Sequence, residues 1–210
     1  MTLPAFLDFA SVFVFALTGG LVASRAQLDL VGFTFLAALT GIGGGTTRDL
    51  ILGRDQVFWV AEPVYLSIIC VAAVLTFFGA HLIHRRYSVL VWLDAVALCI
   101  AVSAGMLTAR TLGASWPIEI VMGVMTGCLG GLLRDVVCNE VPLVLKQGEL
   151  YVTAALAGVV TSVVLIAIGV NDQLSIAACV GVTFALRAGA IALGWRLPTY
   201  KHQPPQNVVK

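Results

Sequence analysis

Seven apolar stretches, each about as long as a membrane-crossing helix, constrain this chain more than any other feature. They run near residues 8–24, 30–52, 64–83, 90–109, 117–137, 150–169 and 174–194. A helix that crosses the hydrocarbon of a bilayer needs roughly 20 residues. With 60% hydrophobic and only 11% charged residues, the chain has too few polar side chains for a soluble surface. The sequence therefore predicts an all-α integral membrane protein with seven transmembrane helices in the lipid bilayer.

Lysine and arginine are distributed unevenly between the two sides of this seven-span arrangement. One side has Arg54 and Arg110, and the other side has Arg25, Arg85, Arg86, Lys146, Arg196, Lys201 and Lys210. Because cytoplasmic loops carry the excess of positive charge, we expect an inner-membrane protein whose N-terminus lies outside. The C-terminus, with a polar tail at 196–210, is then cytoplasmic.

Composition and motifs also exclude two classes of function. The net charge is +1, and no run of basic residues is interleaved with aromatic ones, so a nucleic-acid partner is not expected. The chain contains no GxSxG, HExxH or P-loop sequence, and its three histidines do not form a metal-binding pattern. We therefore predict neither an enzyme nor a bound cofactor.

An internal repeat is the most specific signal in the sequence. A shift of 86 residues, without a gap, aligns rare charges and glycines: Asp8 with Asp94, Gly44 with Gly130, Gly45 with Gly131, Arg48 with Arg134, Asp49 with Asp135 and Tyr65 with Tyr151. We predict repeat one at 1–87, repeat two at 88–170 and a seventh span at 171–195, before the tail at 196–210. Each repeat has three spans, an odd number, so the two copies must be inserted with opposite topology, as two inverted three-helix repeats plus one C-terminal helix.

Adjacent glycines interrupt the second and fifth spans. Residues 41–49 read GIGGGTTRD, and residues 127–135 read GCLGGLLRD. Glycine in a helix interior costs about 1 kcal/mol relative to alanine. We therefore expect a break that kinks helices two and five and bares carbonyls that could replace part of a cation's hydration shell. The expected pore or ion-binding residues are Gly43, Gly44, Gly45, Thr46, Gly130 and Gly131.

Close helix packing is the alternative explanation for the glycines, particularly for Gly41 and Gly127, because small residues let membrane helices approach each other. If the kink explanation holds, Gly44→Ala and Gly131→Ala should reduce conductance and leave assembly nearly intact.

Charged residues inside the spans need partners, because an unpaired charge in the membrane is costly. We predict the ion pairs Asp8–Arg48 and Asp94–Arg134 near the pore. In the alternative, each aspartate only caps its helix. Asp49 and Asp135 lie near the pore too. They follow their arginines directly and point about 100° away on a helix, so we expect them to be poor partners for those arginines.

Two further charges have no counterpart in the repeat. Arg187 lies in the seventh span, and we expect a structural role for it, either toward the helix bundle or at a subunit contact. Glu119 lies near the start of the fifth span, where an acid complements the helix dipole. The alternative for Glu119 is attraction of cations to a pore mouth.

The doubled GGxxRD motif and the layout of three, three and one spans resemble the TRIC family of trimeric intracellular cation channels, in its prokaryotic branch, over about residues 6–195. The resemblance implies a homotrimer with one pore per subunit for monovalent cations, chiefly K⁺ and with Na⁺ as the second candidate ion. Kinked helices two and five are then expected to line the pore. Leu129 stands where the first copy has Gly43, so the fifth helix should kink less.

The same resemblance includes bacterial relatives associated with glycine transport. A secondary transporter of a small zwitterion such as glycine is therefore the alternative function. Inverted repeats and broken helices fit a transporter equally well, and a half-helix beginning at Thr46 and Thr47 beside Arg48 would suit a carboxylate.

Overall fold

The computed structural model describes residues 3–146 and 149–198, and this part of the chain is all-helical apart from an isolated bridge between Glu149 and Arg196. Most of the predicted tail, including Lys201 and Lys210, lies outside the described residues. The helices are α1 (Leu3–Arg25), α2 (Leu30–Ile51), α3 (Phe58–Ala61), α4 (Val64–Gly79), α5 (Arg86–Thr111), α6 (Trp116–Val137), α7 (Val152–Ala167) and α8 (Asp172–Leu193). Short 3₁₀ turns occupy Ala80–Leu82 and Leu143–Leu145.

Membrane-length helices make up most of the described chain. Six helices in it are long and apolar enough to cross a bilayer, counting α4 together with its 3₁₀ extension to Leu82. The stretch predicted at 150–169 forms the shorter helix α7, which has 16 residues and ends before Gly169, where φ is +88°. The prediction of an all-α protein with membrane-length helices is confirmed.

Helix ends recur at the offset of the sequence repeat. The residue after α1 that adopts a positive φ is Gln27, and its counterpart 86 positions later, after α5, is Gly113. After α2 the residue is Gly53, and after α6 it is Asn139. A left-handed residue past the last turn is a common helix stop, and glycine and asparagine tolerate it best. Positive-φ residues therefore follow these four helices at positions related by the 86-residue offset.

Helices α1 and α5 are the most deeply buried and lie in contact with each other. Outside them, α2 packs against α1, α4 and α6, while α8 packs against α5 and α7. Helix α4 exposes apolar side chains such as Val71, Leu75 and Phe78. An apolar exposed face is expected where a helix meets lipid rather than water. The contacts α1–α5 and α2–α6 join the two halves of the chain.

Glycines set the spacing of neighbouring helices within each half. A Cβ at Gly19 of α1 would come within 3.0 Å of the Leu36 carbonyl of α2. A Cβ at Gly105 of α5 would come equally close to the Met122 carbonyl of α6. The second glycine–carbonyl pair is related to the first by the 86-residue shift. Such close approach is a common use of small residues in membrane helices.

Candidate functional site

Arg48 of α2 is fully buried and lies at the centre of an ion cluster. Its Nη1 and Nη2 donate to the two carboxylate oxygens of Asp8 on α1, at 2.9 and 3.2 Å, and its Nε donates to Asp49 Oδ1 at 2.7 Å. A bidentate guanidinium–carboxylate pair is among the strongest charge-assisted contacts. The structure contains the Asp8–Arg48 pair that the sequence predicts.

The expectation that Asp49 is a poor partner for Arg48 is wrong, and so is the same expectation for Asp135 and Arg134, whose Nε donates to Asp135 Oδ1 at 2.7 Å. Adjacent helix positions do point about 100° apart, so the two Cβ atoms diverge. The arginine side chain is nevertheless long enough for its Nε to reach the carboxylate of the next residue. Each aspartate therefore shares the arginine with the aspartate of the preceding helix.

The second oxygen of each of these aspartates holds a loop. Asp49 Oδ2 accepts the backbone N–H of Phe58, the first residue of α3, at 2.8 Å, and it accepts Arg54 Nη1 at 3.1 Å. Asp135 Oδ2 accepts the N–H of Leu143, the first residue of the second 3₁₀ turn, at 2.9 Å. One carboxylate thus fixes both the buried arginine and the loop that follows its helix.

The second cluster repeats the first with one difference. Arg134 Nη1 donates to Asp94 Oδ1 at 3.1 Å and to Thr18 Oγ1 of the other half at 2.9 Å. The remaining oxygen of Asp94 accepts the hydroxyl of Tyr151 at 2.8 Å, and Arg134 Nη2 has no partner among the described residues. The predicted Asp94–Arg134 pair is present, but a tyrosine has taken the second carboxylate oxygen.

The equivalent Tyr65 behaves differently. Its ring stacks on Phe9 at a centroid distance of 4.1 Å and meets Phe58 edge-on at 4.7 Å. Its hydroxyl donates no hydrogen bond within the described part of the chain, so Asp8 stays bidentate with Arg48. The sequence aligns Tyr65 with Tyr151 but assigns no role to either tyrosine. Their match at the same offset as the ion pairs was the signal that could have placed them beside the two clusters.

Tyr151→Phe is expected to lower the free energy of unfolding by about 1.5–3 kcal/mol, because it removes a buried hydrogen bond to a charged carboxylate. The matched control is Tyr65→Phe, which removes no hydrogen bond to a described residue and should change stability little. Thermal unfolding of both variants in the same detergent measures the difference. Equal shifts in the two midpoints would contradict the asymmetry of the two clusters.

Arg187 of α8 lies beside the second cluster. It is fully buried, its Nη1 donates to Glu149 at 3.1 Å, and its guanidinium carbon lies 4.7 Å from the centre of the Tyr151 ring. Of the two alternatives for Arg187, this contact with the bundle is the one present in the described chain. Helix α8 thereby contacts the ring of Tyr151, and among the described residues no cation lies over the ring of Tyr65.

The glycine runs do not interrupt their helices. Helix α2 is α-helical throughout Leu30–Ile51 and α6 throughout Trp116–Val137. The predicted break is therefore wrong, and α2 has no second N-terminus at Thr46. The Thr46 hydroxyl donates to the Ile42 carbonyl at 2.7 Å and accepts Trp59 Nε1 at 2.9 Å. A bend within these continuous helices stays a prediction.

Close packing of α2 on α6 explains the central glycines. A Cβ at Gly44 would come within 3.0 Å of the Thr126 carbonyl oxygen, and a Cβ at Gly130 would do the same to that of Thr40. The two contacts are related by the 86-residue shift. Successive helix positions point about 100° apart, so each glycine of a run faces a different neighbour: Gly43 faces Leu133, Gly45 faces Phe58, and Gly131 faces Asp94 and Tyr151.

A cavity of about 320 Å³ opens beside the first cluster. Asp8, Arg54, Glu62, Tyr65 and Thr108 are among its lining residues. The Thr108 hydroxyl is buried and has no partner among the described residues. Oxygen atoms of carboxylates and hydroxyls are the ligands that hard cations prefer. We call this cavity the vestibule.

A second, much smaller cavity of about 10 Å³ adjoins the vestibule, and Asp8 and Phe58 line both cavities. It lies between the two halves and is also lined by Ser11, Thr40 and Thr126. A single water needs about 10–15 Å³ by this kind of measure, so the space between the halves is nearly closed in this structure.

Comparison with known proteins gives a consistent family. The sequence model of a family described as Glycine transporter matches twice, at residues 5–81 and 91–167, again 86 residues apart. A UPF0126 membrane protein of Vibrio cholerae is 38% identical over 92% of this chain and 81% of its own length. The UPF0126 inner membrane protein YadS of Escherichia coli K12 is 35% identical over 92% of this chain and 94% of its own. With the apolar helices, these relatives support a multi-pass protein of the inner membrane.

Solved structures agree with these sequence matches. The TRIC trimeric intracellular cation channel orthologue of Rhodobacter sphaeroides superposes with a TM-score of 0.89 at 44% identity, covering 92% of this chain and all of that one. Another TRIC cation channel superposes with a TM-score of 0.84 at 26% identity, covering 97% of this chain and all of that one. The chain therefore belongs to the TRIC family, in its prokaryotic branch.

Proposed function

We propose that this protein is a K⁺-permeable cation channel that assembles as a homotrimer with one pore in each subunit. The observation that carries the proposal is a pair of cavities that share Asp8 and Phe58 as lining residues, one being the vestibule and the other the small space between the two halves of one chain. Two solved structures resemble nearly the whole chain. One is described as a trimeric cation channel orthologue, which supports the trimer, and both are described as cation channels, which favours a channel over an enzyme.

The proposed topology has seven spans, with α7 as the short sixth span and the two halves inserted in opposite directions. The recurrence of helix ends, ion clusters and glycine contacts at one offset supports this arrangement. The excess of lysine and arginine on one side supports an external N-terminus and a cytoplasmic C-terminus. On that orientation the vestibule faces outward and the cluster of Asp94, Arg134 and Tyr151 lies toward the cytoplasm.

The proposed route passes the crossing of α2 and α6. Cations would collect at the oxygens of Asp8, Glu62 and Thr108 in the vestibule and continue between the halves past Thr40 and Thr126. The space there holds about one water, so a hydrated cation needs the helices to move apart. A bend of α2 and α6 at their glycines would widen the crossing and turn carbonyls toward the ion. Conduction through this crossing requires such an opening.

Reconstitution in a planar bilayer tests the proposal, using Ser11→Cys in a background without the five native cysteines. Ser11 lines the small cavity, whereas Val71 is exposed on the apolar face of α4. We expect K⁺ and Na⁺ currents in both proteins, and we expect a positively charged thiol reagent to block the current of Ser11→Cys only. Val71→Cys is the control. Unblocked current in Ser11→Cys, or equal block in both proteins, would contradict the route.

A secondary transporter of a small zwitterion such as glycine is the alternative, and one observation favours it. The vestibule is lined by both charges that a zwitterion needs. Arg54, which also donates to Asp49, would bind a carboxylate, and Glu62 or Asp8, which also accepts from Arg48, would bind an ammonium group. The name of the matching family also points to glycine. Saturable uptake of radiolabelled glycine into vesicles, without ion current, would favour the transporter. Current that persists without glycine would favour the channel.

A further inference from the structure

A groove on the side of the bundle contains a buried acid that the ion route does not use. It has a volume of about 340 Å³ and lies between the start of α6 and the end of α7. Its wall is mostly apolar, and it is lined by Trp116, Val163, Val164, Ile166 and Ala167, with Arg110 and Glu119. Trp116 and Val164 are more than half exposed on the outer surface of the helices. We call this site the lateral groove.

The charged groups in and beside the lateral groove form no hydrogen bonds with each other. Glu119 is 95% buried, and its Oε2 has no hydrogen-bond partner among the described residues. The nearest approach between Arg110 and Glu119 is 3.8 Å, and that between Arg110 and Asp172 is 3.7 Å. Both distances exceed a normal hydrogen bond. A buried carboxylate oxygen without a partner costs free energy, so a ligand that supplies a donor would recover it.

The equivalent cavity in the other half serves as an internal comparison. It has a volume of about 270 Å³ and is lined by Ser24, Phe33, Phe77, Ala80 and Arg86, among others. Position 33, which corresponds to 119, has a phenylalanine that packs edge-on against Phe77 at 5.1 Å. Arg86 there donates to the Ser24 hydroxyl at 2.8 Å and to the Ala80 carbonyl at 2.9 Å. In the other half an apolar residue thus fills this position, whereas the lateral groove has there a buried acid in the first turn of α6. The helix dipole explains an acid at this position but does not give its Oε2 a hydrogen-bond partner.

We propose that the lateral groove binds a membrane phospholipid whose headgroup carries a primary ammonium group, as in phosphatidylethanolamine. Arg110 binds the phosphate, Glu119 binds the ammonium group, and the apolar wall of α7 receives an acyl chain. Exposed Asp172, 3.7 Å from Arg110, adds a second negative charge beside the groove. Two carboxylates beside one arginine disfavour an anionic headgroup, and a quaternary ammonium has no N–H to donate to Glu119. The groove lies at helix ends beside exposed Trp116, where the headgroup region of a bilayer is expected. This inference is independent of the channel proposal.

Quenching of Trp116 fluorescence by brominated lipids tests the proposal. Trp59, Trp92 and Trp195 are replaced by phenylalanine, and the protein is reconstituted in phosphatidylcholine vesicles. These vesicles contain the same minor fraction of either brominated phosphatidylethanolamine or brominated phosphatidylcholine. We expect stronger quenching by the ethanolamine lipid and loss of that excess in Glu119→Gln. Glu62→Gln, an acid in the vestibule at the same end of the bundle, should retain the excess.

Thermal unfolding in nanodiscs gives a second readout on the protein with all its tryptophans. Adding phosphatidylethanolamine to the phosphatidylcholine should raise the unfolding midpoint of wild type and Glu62→Gln more than that of Glu119→Gln. Equal quenching by the two lipids, or an excess that survives in Glu119→Gln, would overturn the proposal. Absence of quenching by either lipid would overturn it too, because the groove beside Trp116 would then not be open to lipid.

Discussion

Arg134→Ala is expected to lose most of its folded yield, because the change leaves Asp94 and Asp135 buried without their shared cation. Breaking a buried ion pair by removing one partner typically costs about 3–5 kcal/mol, and two carboxylates depend on this one guanidinium. A protein domain has about 5–15 kcal/mol of net stability, so the loss is a large share of the total. Size-exclusion chromatography of detergent extracts measures the folded yield.

The control for this prediction is Arg25→Ala. Arg25 pairs with Glu140 at 3.2 Å, and both side chains are about one-third exposed. Pairs exposed to solvent contribute about 0–1 kcal/mol, so this variant should keep nearly the wild-type yield. If unpaired carboxylates cause the defect, adding Asp94→Asn and Asp135→Asn to Arg134→Ala should recover part of the folded protein. A triple variant no better than Arg134→Ala would contradict that cause.

The rare charges made the ion pairs predictable from sequence. In an apolar chain, Asp8 and Arg48 have few other partners, and the second copy of each at one offset made chance coincidence a poor explanation. The physical requirement that an intramembrane charge be paired then identified Asp8–Arg48 and Asp94–Arg134. Helix positions were predictable for the same reason, because polar residues are confined mostly to the connections.

The role of the glycines and the difference between the two tyrosines were not predictable from the sequence, because both depend on distances between helices. Whether consecutive glycines bend a helix or pack against its neighbours depends on how closely α2 and α6 approach, and composition does not fix that distance. Tyr151 donates a hydrogen bond to Asp94, whereas Tyr65 donates none to Asp8, and the Tyr151 ring lies beside Arg187 of α8, a helix without a counterpart at the 86-residue offset. The matching sequence pattern thus did not reveal the difference between the two ion clusters.

Gly44→Ala and Gly130→Ala are expected to destabilise the protein, contrary to the expectation that Gly44 can be replaced without loss of assembly. Each added methyl would meet a backbone carbonyl of the facing helix, that of Thr126 or Thr40, and a carbonyl within a helix cannot rotate away. Overpacking of this kind costs about 1–3 kcal/mol and occasionally more, which exceeds the roughly 1 kcal/mol gained in helix propensity. Thermal unfolding and folded yield in detergent measure the result.

Gly43→Ala is the matched control, one position earlier on the same helix. Its added methyl would meet only the terminal carbon of the Leu133 side chain, at 2.8 Å, and that side chain can change rotamer. The gain in helix propensity should then leave Gly43→Ala as stable as wild type or slightly more stable. If glycine acted only by permitting a kink, neighbouring alanines at 43 and 44 would change stability alike. Opposite signs at the two positions would instead follow from the contact between α2 and α6, whose separation any opening of the proposed route must change.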